Sequence, residues 1–200
     1  MTLTHLLYLH GFRSSPLSYK AQAMARYMAE RHPDVHFWCP QLPPSPREAM
    51  ALVEAGIADW PRATMGVIGS SLGGFYATWV AHQTGCPSVL VNPAVHPERD
   101  LARHLGEQTT WQDPSARFFF RAEFLDELRA LGLHGQPSAG PELLLVAKGD
   151  EVLDWREMTA RYPQATQIVR EGGDHAFSEF EDYLDRIAAF LGAARGPTGR

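Results

Sequence analysis

Short apolar runs separated by longer segments of helical periodicity organise this chain, and that alternation most restricts the folds open to it. The runs are HLLYLHG (5–11), VHFWCPQL (35–42), TMGVIGS (64–70), SVLVNPA (88–94), ELLLVAKGD (142–150) and TQIVREG (166–172). Most are rich in Leu, Val or Ile over several successive positions, as strands covered on both faces are. Helical patterns lie between them at Leu17 to Arg31, Arg47 to Trp60, Leu72 to Gln83 and Trp155 to Arg161, and Ser178 to Leu191 follows the last. In that final segment Phe180, Leu184, Ile187 and Leu191 form one apolar stripe. Neighbouring parallel strands need crossovers of this length, so the pattern predicts an α/β fold: a mostly parallel sheet of about six strands flanked by helices.

One stretch interrupts the alternation. Residues 97–140, between the fourth and fifth runs, contain RFFFRAEFLDELRALGLHG and are too long for an ordinary connection. We read them as a small helical cap inserted into a single domain of residues 1–192. Phe120, Phe124, Leu128 and Leu131 lie near helical spacing and are expected to pack the cap on the body. The closing GAARGPTGR has nothing to bury, so residues 193–200 are expected to form a flexible tail.

Composition narrows the function. A chain of 200 residues can fill one core. Its formal net charge of -5 is spread without a basic stripe, which argues against a nucleic-acid partner. No run is long enough to span a membrane, and the amino terminus lacks the basic start and apolar length of a signal peptide. Cys39 and Cys86 sit within apolar runs, where free buried thiols are expected. A cytoplasmic location follows as the default. Neither H-E-x-x-H nor a G-x-x-x-x-G-K-[ST] loop occurs, and nothing sets an oligomeric state.

GVIGSSLGGF (66–75) runs from the third strand pattern straight into a helical one. A serine at such a junction can project its hydroxyl at the carboxyl edge of the sheet. The turn is tight, so the residues two before and two after the serine must be small. Ser71 is flanked by Gly69 and Gly73 at those positions, whereas Ser70 would have Ile68 and Leu72; Ser71 is the candidate nucleophile, and Ser70 a small neighbour. A five-residue pattern of common residues can arise by chance, so the rest of the chain must supply partners.

A serine hydroxyl needs a positioned base, held in turn by a carboxylate, and in this fold class they follow in the order Ser, acid, His beyond later strands. Asp150 directly follows LLLVAKG, and His175 lies in EGGDHAF after the last strand, where two glycines let the loop bend back. Asp154 and Asp174 compete for the acid role. Asp154 reads better as a helix amino-terminal cap, and Asp174 is too close in sequence to reach its neighbour's ring. Backbone donors for a tetrahedral oxyanion are expected from Leu72, at the start of a helix, and from Phe12, after Gly11 in the loop beyond the first strand. His10 reads as a structural member of that loop.

The blocks YLHGFRSSPLSYKA, PQLPPSP, GSSLGGFYATW, VNPAVHP, GDEVLD and EGGDHAF, in this order from residue 7 to about 180, resemble the YqiA-like bacterial esterases of the α/β-hydrolase superfamily. The resemblance implies a cytoplasmic serine esterase acting on a small-molecule ester with a short to medium acyl group. It matches Ser71, Asp150 and His175 to that family's catalytic positions and implies no metal or organic cofactor. Residues 103–138 match poorly. There Trp111, Phe118 and Phe119 are candidate substrate-binding residues.

Other readings use the same residues. An acyl-CoA thioesterase or an acyltransferase would share the triad, although the absence of a basic cluster in the sequence favours simple esters. A binding module could keep the fold without turnover.

Overall fold

The side chains of the first strand divide strictly between two cores. In β1 (His5–Leu9), Leu7 and Leu9 enter one apolar cluster while Leu6 and Tyr8 enter the other. This division runs across the whole sheet in the computed structural model, which describes residues 2–133, 136 and 139–192. Residues 193–200, expected to form a tail, lie outside the described residues.

After β1 the chain passes through α1 (Tyr19–Arg31) to β2 (His36–Trp38), then through α2 (Pro46–Gly56) to β3 (Met65–Ser70). Helix α3 (Leu72–Thr84) leads to β4 (Ser88–Val91), and α4 (Pro97–Asp100) opens the insertion. The insertion then contains β5 (Gly106–Thr109), β6 (Arg117–Phe120) and α5 (Ala122–Leu131). The chain closes with β7 (Glu142–Ala147), α6 (Trp155–Arg161), β8 (Thr166–Arg170) and α7 (Leu184–Phe190).

The main sheet has the order β2-β1-β3-β4-β7-β8, and every neighbouring pair is parallel. Helices α1 and α7 supply Met24, Met28, Leu184 and Ile187 to one core. Helices α2, α3, α5 and α6 supply Met50, Val53, Val80, Leu128 and Met158 to the other. From β1 the chain winds outward to β2, whereas from β3 it winds the opposite way. The crevice between the carboxyl ends of β1 and β3 is therefore the topological switch point, the position where open α/β sheets hold ligands.

Two elements differ from the sequence expectation. Strand β2 covers three residues rather than eight, because Pro40 lacks the N–H a ladder needs and Pro43 and Pro44 follow. The insertion has its helix, with Phe120 and Leu128 buried and Phe124 and Leu131 packed beside them, but it also carries the antiparallel hairpin β5–β6. Part of the expected cap, residues 134, 135, 137 and 138, lies outside the described residues. Cys39 and Cys86 are free thiols, with Cys86 buried.

Candidate active site

Strand β3 is buried at every position and ends against Ser71, whose φ of 57° and ψ of -123° lie outside the regions L-residues favour. Close packing of the backbone holds this conformation. A Cβ on Gly69 would fall far inside contact distance of the Gly73 carbonyl oxygen, and one on Gly73 equally far inside that of the Leu9 carbonyl oxygen. One on Gly74 would come 2.6 Å from the Pro93 Cβ. The absence of side chains thus lets α3 start directly beneath β1 and β3, with Ser71 at its amino-terminal cap. Ser70 is buried at the end of β3.

His175 Nε2 lies 3.0 Å from Ser71 Oγ, and its Nδ1 lies 2.8 Å from Asp150 Oδ2. The Asp150 side chain is inaccessible to solvent, whereas the imidazole is one-fifth exposed. Asp150 Oδ1 accepts from Val152 and Leu153 N–H, each at 2.8 Å, so the backbone fixes the carboxylate. A carboxylate only accepts, so Nδ1 carries the hydrogen and Nε2 is left to accept from the serine hydroxyl. The structure therefore brings the three sequence-selected side chains into one hydrogen-bonded line.

The competing acids are engaged elsewhere. Asp154 caps α6 by accepting from Arg156 N–H. Asp174 accepts from Ser178 N–H and Oγ–H, bonds that hold its carboxyl below the ordinary range. His10 is buried, with Nδ1 at 3.0 Å from the Gly11 carbonyl and Nε2 accepting from Leu42 N–H; burial lowers its pKa. It is fully occupied in shaping the loop after β1.

That loop closes over the serine. A Cβ on Gly11 would lie 3.3 Å from that of Ser71. Phe12 and Leu72 line the same cavity as Ser71 and His175. Among the described residues, neither N–H group donates to a backbone carbonyl outside its own helix. The dipole of α3 adds partial positive charge at Leu72.

The loop carrying His175 rests on residues that sequence reasoning missed. Asn92, wholly buried just beyond β4 at φ 40°, donates from Nδ2 to the carbonyls of Asp174 (3.0 Å) and His175 (3.2 Å). Its Oδ1 accepts from Ala147 N–H at 2.9 Å, so one amide ties the ends of β4 and β7 to the histidine loop. Glu151 accepts from His175 N–H at 3.0 Å, and the Lys20 ammonium donates to the Ala176 carbonyl. Burial pushes the Lys20 pKa down to about 8, against the pull of Asp174 and Asp150. Phe177, fully buried at φ 53°, anchors the far side. Asn92 had one legible sign, a lone amide directly following a buried strand.

The cavity at Ser71 encloses about 300 Å³ and is walled by Ala94, Pro97, Leu101, Val152 and Leu153. Of the three aromatic residues selected as substrate contacts, Trp111 lines this cavity. Phe118 lines a neighbouring one of about 540 Å³ beyond Phe12. Phe119 lines neither cavity and is 61% exposed, because successive residues of β6 face opposite ways and Phe118 and Phe120 take the inner face. Among the described residues no helix is long and apolar enough to cross a membrane.

Solved structures with this fold include Est1E from Butyrivibrio proteoclasticus, with a TM-score of 0.72 and 13% identity over 95% of this chain and 87% of that one. The α/β hydrolase domain-containing protein 10 from mouse has a TM-score of 0.68 and 18% identity, covering 94% of this chain and 90% of its own. These likenesses place the chain in the α/β-hydrolase fold. A UPF0227 protein of Yersinia enterocolitica is 25% identical over 193 residues, 92% of this chain and 97% of the relative. One of Vibrio parahaemolyticus is 22% identical over 125 residues, 62% of this chain and less than two thirds, 63%, of the relative. The model of the uncharacterised protein family UPF0227, the family to which the YqiA-like resemblance pointed, matches residues 5–192. That span holds the whole sheet and all three members of the hydrogen-bonded line, and the chain belongs to the UPF0227 family.

Proposed function

We propose that this protein is a serine carboxylesterase cleaving small acyl esters through an acyl-enzyme intermediate. The observation that carries the reading is the line from Ser71 Oγ through His175 to buried Asp150, at 3.0 and 2.8 Å. Ser71 Oγ attacks the acyl carbonyl while His175 Nε2 takes its proton. The N–H groups of Phe12 and Leu72 receive the oxygen that becomes negative. Collapse breaks the bond to the alcohol, which leaves with the proton from His175. Water then attacks the acyl group, giving up its proton to His175, and collapse breaks the bond to Ser71 Oγ, which takes that proton back from His175 as the acid is released. Asp150 holds the ring throughout and stabilises its cationic form. A cavity of about 300 Å³ suits the short end of the acyl range.

Labelling with a fluorophosphonate, read by intact-protein mass spectrometry, tests the assignment. One adduct is expected on the native protein and none on Ser71→Ala, with hydrolysis of 4-nitrophenyl butyrate falling by about 10⁴-fold or more. Undiminished labelling or turnover in Ser71→Ala would remove Ser71 as nucleophile.

A further inference from the structure

The Ser71 cavity has a cationic rim built from distant parts of the chain. Arg13 and Arg103 both line it, the first from the loop after β1 and the second from the insertion. Neither forms an ion pair with a carboxylate among the described residues. Arg13 is held in place: its Nε donates to the Thr109 carbonyl at 2.7 Å, Nη2 donates to Thr109 Oγ1 at 2.9 Å, and its guanidinium lies 4.1 Å from the centre of the Trp111 ring. Arg103 is exposed and, among the described residues, makes one hydrogen bond, from Nε to His104 Nε2 at 3.3 Å.

The other charged or titratable walls do not cancel these two cations. Asp100 is 2.9 Å from Arg99, but it shares that guanidinium with Glu157, which takes the other two nitrogens at 2.8 and 2.7 Å, so Asp100 offsets the two cations only in part. His104 is driven toward its neutral form by burial and by the charges of Arg103 and Arg13. His175 is committed to Ser71 and Asp150. In a chain whose net charge is -5, two guanidinium groups without ion-pair partners, set against the single shared carboxylate of Asp100, give one cavity mouth a local field of the opposite sign. The structural clamp on Thr109 accounts for Arg13 in part, since a neutral donor could make those bonds. It leaves Arg103 without a role.

We propose that the ester cleaved at Ser71 carries an anionic group, a carboxylate or a phosphate within a few bonds of the scissile carbonyl, which Arg13 and Arg103 bind at the cavity mouth. This rests on the hydrolase reading above and narrows its substrate class. Guanidinium groups suit both oxyanions because they offer paired donors in a fixed fork. The cavity is too small for a long spacer, so the anion and the ester lie in one short molecule.

Two matched substrate pairs test the inference and separate the two anions. Mono-4-nitrophenyl glutarate against 4-nitrophenyl butyrate places a carboxylate on the acyl side. The butyrate ester of ethylene glycol phosphate against that of ethylene glycol places a phosphate on the alcohol side. At low salt, kcat/KM is expected to favour the charged member of at least one pair by about tenfold, mainly through KM, and the ratio should shrink at about 0.5 M NaCl. In Arg103→Gln the ratio should fall about fivefold. Equal rates within both pairs, or an unchanged ratio in Arg103→Gln, overturns the proposal while leaving the esterase intact. Calorimetric titration of glutarate and of inorganic phosphate into Ser71→Ala, with and without Arg103→Gln, reads the rim independently of turnover. Binding of either anion weakened about fivefold by Arg103→Gln supports the rim even if no ester is hydrolysed. No binding of either overturns it.

Discussion

The two loops that bring Ser71 and His175 together are held by different balances of main-chain packing and side-chain docking. The serine turn is fixed by main chain against main chain: Gly69, Gly73 and Gly74 leave no room for any side chain, and the strained angles of Ser71 follow. The histidine loop also bends on glycines, at Gly172 (φ 68°) and Gly173 (φ 78°), but it is docked by side chains reaching in from Lys20, Asn92 and Glu151. Main-chain packing limits both loops, since a Cβ on Gly149 would fall far inside contact distance of the Gly173 carbonyl oxygen, but the histidine loop depends besides on groups from distant segments. The first is therefore all-or-none, and the second can be loosened by degrees.

Gly73→Ala should have the largest effect, because its Cβ would collide with the immovable carbonyl of Leu9. Chemical denaturation is expected to show a loss of at least about 4 kcal/mol, or no folded protein. Survival at near-native stability would mean that the turn is softer than its packing implies. Asn92→Ala should cost about 3 kcal/mol, since a buried N–H and two carbonyls lose their partner and Ala is unfavourable at φ 40°. The same variant should slow both ester turnover and fluorophosphonate labelling by about tenfold or more as the imidazole loses its fixed place. A drop in stability with labelling kinetics unaltered would separate the amide from the site.

Lys20→Met should have the smallest effect, visible in its pH dependence. Burial lowers the Lys20 pKa to about 8, below its unfolded value near 10.5, so the unfolded chain binds more protons between these limits. The penalty for burying the ammonium is therefore fully present below pH 8 and disappears as pH rises toward 10.5. Native stability minus that of Lys20→Met should rise by about 1 kcal/mol over this window, after allowance for solvent screening of a partly exposed group. A flat difference would show that the loop does not feel the charge.

The contrast also explains what could be read from the sequence. The serine turn was legible because its requirement is local and steric: small residues must stand two before and two after the serine. Asp150 and His175 were legible because strand order alone delivers the loops after β7 and β8 to the same edge as Ser71. Asn92, Lys20 and Glu151 were not, because each acts on a loop far from it in sequence and none belongs to a fixed-spacing motif. The insertion was legible in part. Phe120, Phe124, Leu128 and Leu131 gave the packing face, yet Phe118, Phe119 and Phe120 in a row satisfy any periodicity, and the hairpin that turns Phe119 to solvent left no trace. Convergence of Arg13 with Arg103 was equally hidden, since ninety residues separate them.

The hairpin is moored to the floor it overhangs. Arg13 grips Thr109, and Trp111 N–H returns a bond to the Arg13 carbonyl at 2.8 Å, one residue from Phe12. A designer who replaced the insertion to admit a bulkier acid would thus also release the peptide next to the proposed oxyanion donor. Range and rate are mechanically geared here, and any exchange of the one would have to carry residues 11–13 along with it.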